Sequence, residues 1–599
     1  MTLLKNGILC VVVGAACALT PFISKAQTDN KAWVAKSNGY TKVLIDISKK
    51  YSPEFGSSQG LAQFDKLIAV PTLANQKAQR KEREAALVSF QKAKKIETNA
   101  FIIQDLDILI NQLNLGFKNE DFGDSREVSY LNPTSTVFSG LQTLLDDQTP
   151  AERRPSAAIR LKKYAGLEQG YQPISAIYKE RTLQQIAKPN MIYPSKQAME
   201  VEMSRNASML AGIPELFKKY KVAGWEAAFT AIKKQLEDYD EWAKANVLSK
   251  ARTDFRLPPE EYALNLEGYG IDIPPAEVAK MAHEAFTDIQ NQMKPLAEQI
   301  AKKYNLPSSD YREVIKYLKK NQIIGDSIMP IYKRHLADIE KIIKEQHLVT
   351  LPDRPAIIRL ATEAETAQAP APHMVPPPFL NNTGQRGVFV LPLNMPPAPG
   401  QKVDKYDDFT FDAASWTIIA HEARPGHELQ FDKMVEEGVS QARALYAFNS
   451  TNVEGWGLYS EYITRPFFPI EGQLVSLDYR LLRAARAFLD PELQAGTITQ
   501  EQALNLLMTD VVQSHAFATQ EVQRYTLNAP GQANSYFYGF TKMIALRKEV
   551  EATLGKKFNA QRFHDFILSQ GILPPALIRQ AVMMRYVGIE RNTFGESVK

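Results

Sequence analysis

The stretch IIAHEARPGHELQ contains two histidines and a glutamate at a spacing that could serve a metal ion. His421 and Glu422 form the pair that opens many zinc-binding helices, where a second histidine follows four residues after the first. Here Pro425 and Gly426 intervene, and the second histidine is His427. On an unbroken helix, residues six apart lie about 120° apart around the axis and about 9 Å along it. The two imidazoles could then not share a metal.

A break in the helix would remove this difficulty. Pro425 has no N–H and its ring clashes with the carbonyl of His421, while Gly426 permits backbone angles that other residues avoid. The sequence therefore predicts a kink or bulge that takes up two residues and turns His427 onto the face of His421.

Chance is the alternative explanation for these two histidines. With eight histidines in the chain, such a pattern arises at random with a probability of roughly 0.01. A second His-Glu pair, His283-Glu284, has no further histidine nearby and is predicted to be solvated helix surface.

The stretch STNVEGWGLYSEYI offers a third ligand. Catalytic zinc usually has three protein ligands and an open position. Glu454 and Glu461 are seven residues apart and share a helix face, so either could bind the metal while the other orients a histidine. We favour Glu454 as the ligand. Gly455 and Gly457 would allow another helix to approach closely, and a solvated acidic face is the alternative.

Glu422 is the predicted general base, because it is next to a ligand but points elsewhere on the helix. It could take a proton from the attacking water, whose pKa zinc lowers. Tyr536 and Tyr538 follow the turn Pro530-Gly531 and could donate a hydrogen bond to the oxyanion. Ordinary core tyrosines would explain them equally well.

Cations in the same stretch could bind a substrate carboxylate. The candidates are Arg524, Lys542 and Arg547, and ordinary surface cations are again the alternative. Tyrosines and cations of this kind are common in any chain, so their spacing alone does not show whether they belong to a substrate site.

The apolar run GVFVLPLN, residues 387–394, predicts a short edge strand just ahead of the histidine motif. Such a strand could pair with a substrate backbone by strand addition, through Val388 and Val390. The run lies in a proline-rich stretch, residues 352–399, for which a disordered linker is the alternative.

Residues 1–26 have the three parts of a secretory signal: Lys5, an apolar run and a small residue, Ala26. We expect cleavage after Ala26. A membrane anchor is the alternative, but the run is short and Thr20 and Pro21 interrupt it. Lipidation at Cys17 is a weaker alternative, because the aliphatic residue usual three positions before such a cysteine is absent. Both cysteines would leave with the signal, which excludes disulfides and thiolate zinc sites. The mature protein is expected to be soluble, periplasmic and not inserted in the membrane.

The composition is that of a soluble globular protein, with 599 residues, 44% hydrophobic and 23% charged. The formal charge of +4 indicates no nucleic-acid surface. Helical periodicity dominates, so we predict one large, mainly α domain over residues 27–599. Its predicted parts are a helical half (27–350), a proline-rich segment with the edge strand (351–410) and a zinc-binding half (411–599).

Four stretches, HEARPGHELQ, EGWGLYSEY, RLLRAARAFLDPEL and ATQEVQRY with APGQANSYFYG, resemble in this order the bacterial family called domain of unknown function 885. That family resembles the helical zinc peptidases of the gluzincin type, such as angiotensin-converting enzyme and thimet oligopeptidase, whose substrate lies in a cleft between helical halves. The resemblance implies one zinc ion on His421, His427 and Glu454, with Glu422 as base. It also implies a zincin-like architecture with a central cleft that includes Tyr536, Tyr538 and Arg524.

One position departs from that family. Many members have a glycine and a histidine after the aspartate that corresponds to Asp490, where this chain has Pro491 and Glu492. Any catalytic role of that histidine is absent here. We expect an exported zinc metallopeptidase acting on peptides, or a hydrolase of another amide such as a cell-wall peptide bond. The alternative is a non-catalytic helical protein that binds peptides or an envelope partner.

Overall fold

The computed structural model describes residues 32–323, 327–362, 365–366, 371–392 and 406–593, and the predicted signal peptide lies outside these residues. The chain is mainly helical, as predicted. The α-helices before the sheet are α1 Ala32–Tyr51, α2 Pro53–Ser58, α3 Leu73–Ile96, α4 Ala100–Arg126, α5 Pro133–Gln142, α6 Ser156–Tyr164, α7 Ile174–Ile186, α8 Lys196–Ser204, α9 Asn206–Lys219, α10 Glu226–Asn246, α11 Pro259–Tyr269, α12 Pro275–Tyr304, α13 Tyr311–Lys319 and α14 Ile328–Glu345.

The α-helices after the sheet include the two that carry the histidine motif. They are α15 Asp412–Glu422, α16 His427–Lys433, α17 Gln441–Leu445, α18 Ser450–Thr464, α19 Ile470–Ala495, α20 Gln500–Thr509, α21 His515–Gln523, α22 Asn534–Leu554, α23 Ala560–Ser569, α24 Pro575–Ala581 and α25 Val587–Thr593. Single π-helical turns span Met434–Gly438, Arg524–Asn528 and Val582–Tyr586. Short 3₁₀ turns span Ala62–Phe64, Leu248–Lys250, Arg465–Phe467 and Gly555–Lys557.

A small sheet precedes the histidine motif. Its strands are β1 Ile357–Leu360, β2 His373–Val375 and β3 Val388–Leu391, in the order β1-β3-β2. Strand β1 is parallel to β3 and β2 is antiparallel to it.

The strand predicted over residues 387–394 is present as β3, but its predicted edge position is wrong. Phe389 is paired with Ile358 on one side and with Met374 on the other. Val388 and Val390, 4% and 1% exposed, therefore lie in a strand that is paired on both sides and cannot add a substrate strand. Among the described residues, β1 and β2 each pair only with β3, so these two strands form the edges of the sheet.

The largest hydrophobic core holds the histidine motif in place. It combines helices α11–α14 with most of the helices that follow residue 406, and its most extensive helix pair is α12 with α19. Helices α18 and α22 form a second closely packed pair. Helices α1–α10 pack mainly around three smaller cores.

In the part of the chain that the structure describes, no helix is both long and apolar enough to cross a bilayer.

Candidate metal centre

The structure brings the three predicted ligands together. The ligand atoms of His421, His427 and Glu454 all lie within 4.8 Å of one another. Glu454 Oε2 is 3.3 Å from His421 Nε2 and 3.5 Å from His427 Nε2. Ligands at ~2.0–2.1 Å from a tetrahedral zinc ion lie ~3.3–3.4 Å apart. The spacing fits zinc, and two histidines with one glutamate are a ligand set of catalytic zinc sites.

A complete break between α15 and α16 positions the histidines. Helix α15 ends at Glu422, and Ala423 leaves the helical region with φ −103° and ψ −101°. The Arg424–Pro425 peptide bond is cis, and α16 begins at His427. The two imidazole rings then lie 4.6 Å apart, edge to face. The interruption predicted from Pro425 is therefore present, as a new helix start.

The break depends on a glycine and is fixed by a tryptophan. A Cβ at Gly426 would lie 1.8 Å from the carbonyl oxygen of His421, so no side chain fits there. Trp456, buried in α18, donates its indole N–H to the carbonyl of Pro425 at 2.9 Å. Helix α18 thereby holds the turn that separates the two histidines.

Two glycines bring α18 close to its neighbours, as predicted. A Cβ on Gly457 would lie 2.5 Å from the ring of His421, and a Cβ on Gly455 would lie 2.6 Å from the backbone of Gly539 in α22. The helix is thus packed tightly between α15 and α22. This packing carries Glu454 to the two histidines.

Glu461 fixes the orientation of His421. Its Oε1 lies 2.7 Å from His421 Nδ1, and its Oε2 accepts a hydrogen bond from Thr417 at 2.7 Å. Burial lowers the pKa of His421, but the contacts with Glu454 and Glu461 outweigh it and raise this pKa to about 9. The two carboxylates give the pocket a preference for a cation.

His427 is oriented by an amide chain. Its Nδ1 lies 3.4 Å from Gln430 Oε1, and Gln430 donates to Asn452 at 3.1 Å. Asn452 in turn donates to the carbonyl of Leu573 at 2.7 Å. Helices α16 and α18 are therefore joined by hydrogen bonds behind His427.

A buried charge network supports α16. Arg424 donates to both oxygens of Glu428, at 2.9 and 3.2 Å, and Arg354 forms ion pairs with Glu428 and Asp432. Asp432 also accepts the backbone N–H of Gly387 at 2.7 Å, next to strand β3. The network joins the short helix α16 to the sheet.

Glu422 lies beside the two histidines and Glu454, and among the described residues its carboxylate is free of hydrogen bonds. Its Oε1 is 4.0 Å from His421 Nε2, and its carboxylate makes no hydrogen bond with any described residue. Burial raises the pKa of Glu422, and the two neighbouring histidines oppose this rise. The side chain is 14% exposed and lines a cavity beside the cluster.

This cavity, of about 800 Å³, opens onto the cluster, and Glu422, His427 and Glu454 lie on its wall. Two further predicted residues, Tyr536 and Arg524, line the same cavity. The ring of Tyr536 is stacked 6.4 Å from that of His421. Burial and the charge of Glu454 raise the pKa of Tyr536, which keeps its hydroxyl protonated.

Three predicted residues, Tyr538, Arg547 and Lys542, lie outside this cavity, which corrects their assignment. Tyr538 points away from Tyr536, because residues two apart on a helix point in nearly opposite directions. It is buried and donates a hydrogen bond to Asp272. Arg547 donates to the hydroxyl of Tyr459 at 3.1 Å and to Glu551 at 2.7 Å. Lys542 lies 3.9 Å from the carboxylate of Asp272, beside Tyr538.

Two basic residues that line the cavity, His373 and Arg205, were not predicted from the sequence. His373, in strand β2, has its Nδ1 2.9 Å from the carbonyl oxygen of Ala371. Arg205, between α8 and α9, reaches the same cavity from the first half of the chain. A histidine in the short run APHMVPPP was a weak signal for the first, and no local pattern marks the second.

A family model described as a bacterial protein of unknown function (DUF885) matches residues 53–582. This match covers most of the chain, and the protein therefore belongs to this family. No curated protein matches the sequence significantly.

Two solved structures share the fold. One is described as a putative lipoprotein of unknown function from Shewanella oneidensis, with a TM-score of 0.68 and 20% identity, covering 91% of this chain and 98% of that one. The other is described as the putative lipoprotein from Colwellia psychrerythraea, with a TM-score of 0.71 and 18% identity over 94% and 99% of the two chains. At these identities the likeness concerns the fold alone.

Proposed function

We propose that this member of the DUF885 family is an exported zinc metallopeptidase that hydrolyses small or unfolded peptides. The observation that carries the proposal is the convergence of His421, His427 and Glu454 at zinc spacing, with Glu422 beside them and unbonded. A ligand set with a free carboxylate next to it is the arrangement that metal-assisted hydrolysis requires.

The residues around the ligands divide the chemical work. A bound zinc ion would activate a water and polarise the scissile carbonyl. Glu422 accepts the proton of the attacking water and returns it to the leaving amine, and its raised pKa suits both steps. Tyr536 donates its hydroxyl proton in a hydrogen bond to the developing oxyanion, because this hydroxyl stays protonated.

Strand β2 supports an extended substrate. His373 and Met374 line the cavity, and β2 pairs on one side only among the described residues. A peptide could add to its free edge through backbone hydrogen bonds. We therefore propose that the substrate backbone pairs with β2, and not with β3 through Val388 and Val390 as predicted from the sequence. A zincin-like architecture is part of the same proposal.

Export is supported by two independent observations. Residues 1–26 have the pattern of a secretory signal, and both solved structures that share the fold are described as putative lipoproteins. We place the protein in the periplasm on this basis.

The test is peptide hydrolysis that depends on the metal. The purified protein, loaded with zinc, is incubated with a mixed peptide library, and the products are identified by mass spectrometry. We expect cleavage that disappears after dialysis against a chelator and returns when zinc is added. Peptides that are bound but stay intact with zinc present would instead favour a non-catalytic binding protein. Cleavage of cell-wall amides alone would move the activity to another amide.

A further inference from the structure

One wall of the cavity carries an excess positive charge, which arises around the buried carboxylate of Glu521. Arg486 donates to both oxygens of Glu521, at 2.6 and 2.9 Å, and Tyr525 donates to the same group at 2.7 Å. Arg524 Nη1 is 3.8 Å from the nearer oxygen, too far for a hydrogen bond. One carboxylate is therefore shared by two guanidinium groups, and one positive charge is left over.

Arg524 presents that charge to the cavity. Its Nη1 is buried and has no hydrogen-bond partner among the described residues, although the side chain lines the cavity. A buried N–H without a partner costs as much as a lost hydrogen bond, so such groups call for an explanation. Arg524 also begins a π-helical turn, a feature frequent at functional sites.

A second arginine reaches the same region from the first half of the chain. Arg205 follows α8, and α8 contacts the π-helical turn that begins at Arg524. Its guanidinium forms no hydrogen bond or ion pair with a described residue, beyond a through-space effect on Glu202. The described carboxylates that line the cavity are Glu422 and Glu454, and both have other tasks.

We propose that Arg524 and Arg205 form an anion subsite that binds a carboxylate of the peptide substrate. This inference rests on the proposed function, which it deepens by naming the substrate class: peptides with a free C-terminal carboxylate. An acidic side chain offers the same chemistry, and a peptide pool that contains glutamate separates the two sources. Arginine suits this task because its planar fork matches a carboxylate.

The distance to the metal ligands limits where such a peptide is cut. Arg524 Cζ is 5.9 Å from the ring centre of Tyr536, which is 6.4 Å from the ring centre of His421. Arg524 thus lies no more than about 12 Å from His421, and an extended residue spans ~3.3–3.6 Å. Only a few residues fit between the scissile bond and the carboxylate, so the protein removes short pieces from peptide C-termini.

Binding rather than turnover tests this subsite. The zinc-loaded Glu422→Gln variant is equilibrated with matched pools of N-acetylated tetrapeptides that end in a carboxylate or in an amide. A third pool ends in an amide and contains one glutamate. Retained peptides are counted by mass spectrometry. We expect the acid pool to be retained about tenfold more than the plain amide pool, the factor that one charge-assisted hydrogen bond provides.

Adding Arg524→Gln should reduce this preference to within about twofold. Glu521 keeps Arg486 and Tyr525 as partners, so the variant should fold, which circular dichroism and zinc content check. Arg547→Gln is the matched control, because Arg547 is bonded outside the cavity, and the preference should persist.

Each outcome bears on the subsite alone. The subsite is overturned if the acid and amide pools are retained equally, which includes no retention of either. It is also overturned if the preference for the acid pool survives Arg524→Gln. If the glutamate pool is retained like the acid pool and is lost with Arg524→Gln, the subsite stands and takes an acidic side chain. The proposed function is tested separately, by hydrolysis with the active protein. Hydrolysis there without acid preference here would leave the proposed function intact, and acid preference here without hydrolysis there would leave only the subsite.

Discussion

The chain contains two His-Glu pairs, and their surroundings differ completely. His283 and Glu284 lie on α12, where the side chain of His283 is 51% exposed and pairs with Glu492. His421 and Glu422 end α15, where the side chain of His421 is 4% exposed and contacts Glu454 and Glu461. The same dipeptide is solvated surface in one helix and a candidate metal site in the other.

The difference arises from the helices themselves. In α12 the buried residues, such as Val278, Ala282 and Phe286, recur every three to four positions, and charges occupy the other face. In α15 every residue from Ala413 to His421 is buried. Polar groups in α15 must therefore find protein partners, since water is excluded, and these partners define their chemistry.

The largest effect is expected when the base is removed from the buried pair. Glu422→Gln should lower the rate of peptide hydrolysis by about 10²–10⁴-fold, because the proton acceptor is lost. Zinc content should not change, since Glu422 is not a ligand. The matched change Glu284→Gln, on the exposed pair, should leave the rate essentially unaltered. Equal rates for the two variants would remove the functional distinction between the pairs.

A methyl group at the helix break should be the next most damaging change. Gly426→Ala places its Cβ 1.8 Å from the carbonyl oxygen of His421, so the two helices must separate. We expect a loss of at least about 3 kcal/mol in the free energy of unfolding, and loss of zinc.

The matched control lies in α1. A Cβ at Gly39 meets nothing within 4 Å, so Gly39→Ala should stabilise the protein by ~0.5–1 kcal/mol. The free energy of unfolding, from denaturant titration, and the zinc content are measured for both variants. Normal zinc binding by the Gly426→Ala protein would show that the break is not needed.

A third histidine, His564, shows the effect of burial on a histidine pKa separately from the effect of the carboxylates that contact His421. His564 is buried between the hydroxyl of Tyr459 and the carbonyl of Leu348, and burial lowers its pKa to about 4. Its pKa in the unfolded state is ~6.5, so between pH 4 and pH 6.5 the folded state binds fewer protons than the unfolded state. The stability from this group is complete above pH 6.5 and is lost as the pH falls to 4, a change of about 3 kcal/mol.

The non-titrating variant His564→Gln isolates this contribution. The free energy of unfolding of the wild type minus that of the variant should fall by about 3 kcal/mol between pH 7 and pH 4. Urea unfolding at several pH values gives this difference. A difference that stays constant with pH would contradict the lowered pKa.

The smallest effect is expected from the group that orients His421. Glu461→Gln should weaken zinc affinity by about 10–100-fold without removing a ligand. Competition with a chromophoric chelator measures the affinity. Glu492→Gln is the control, because Glu492 bonds the exposed His283 in the same way, and it should have no effect. Unchanged affinity in the Glu461→Gln protein would mean that the contact with His421 is only structural.

The sequence was sufficient where the signal is local. His421, His427 and Glu454 could be found because two neighbouring segments supply them, and Pro425 and Gly426 indicate the break between the histidines. Helical periodicity likewise predicted the mainly α fold, since apolar spacing reports directly on which face is buried.

The sequence was insufficient where partners come from distant parts of the chain. Strand pairing decides which strand is at the edge, so β3 was wrongly placed there and β2 was missed. Arg205 joins the cavity only through tertiary packing. Tyr536 and Tyr538 could not be told apart before the orientation of α22 was known.

The most direct test of the metal centre is the zinc content of the purified protein beside two histidine variants. We predict about one zinc ion per chain in the wild type and in His283→Ala, and none in His427→Ala, because the late histidine is a ligand and the exposed one is not. A wild type that takes up no zinc even after reconstitution, or a His427→Ala protein that keeps it, would contradict the metal centre.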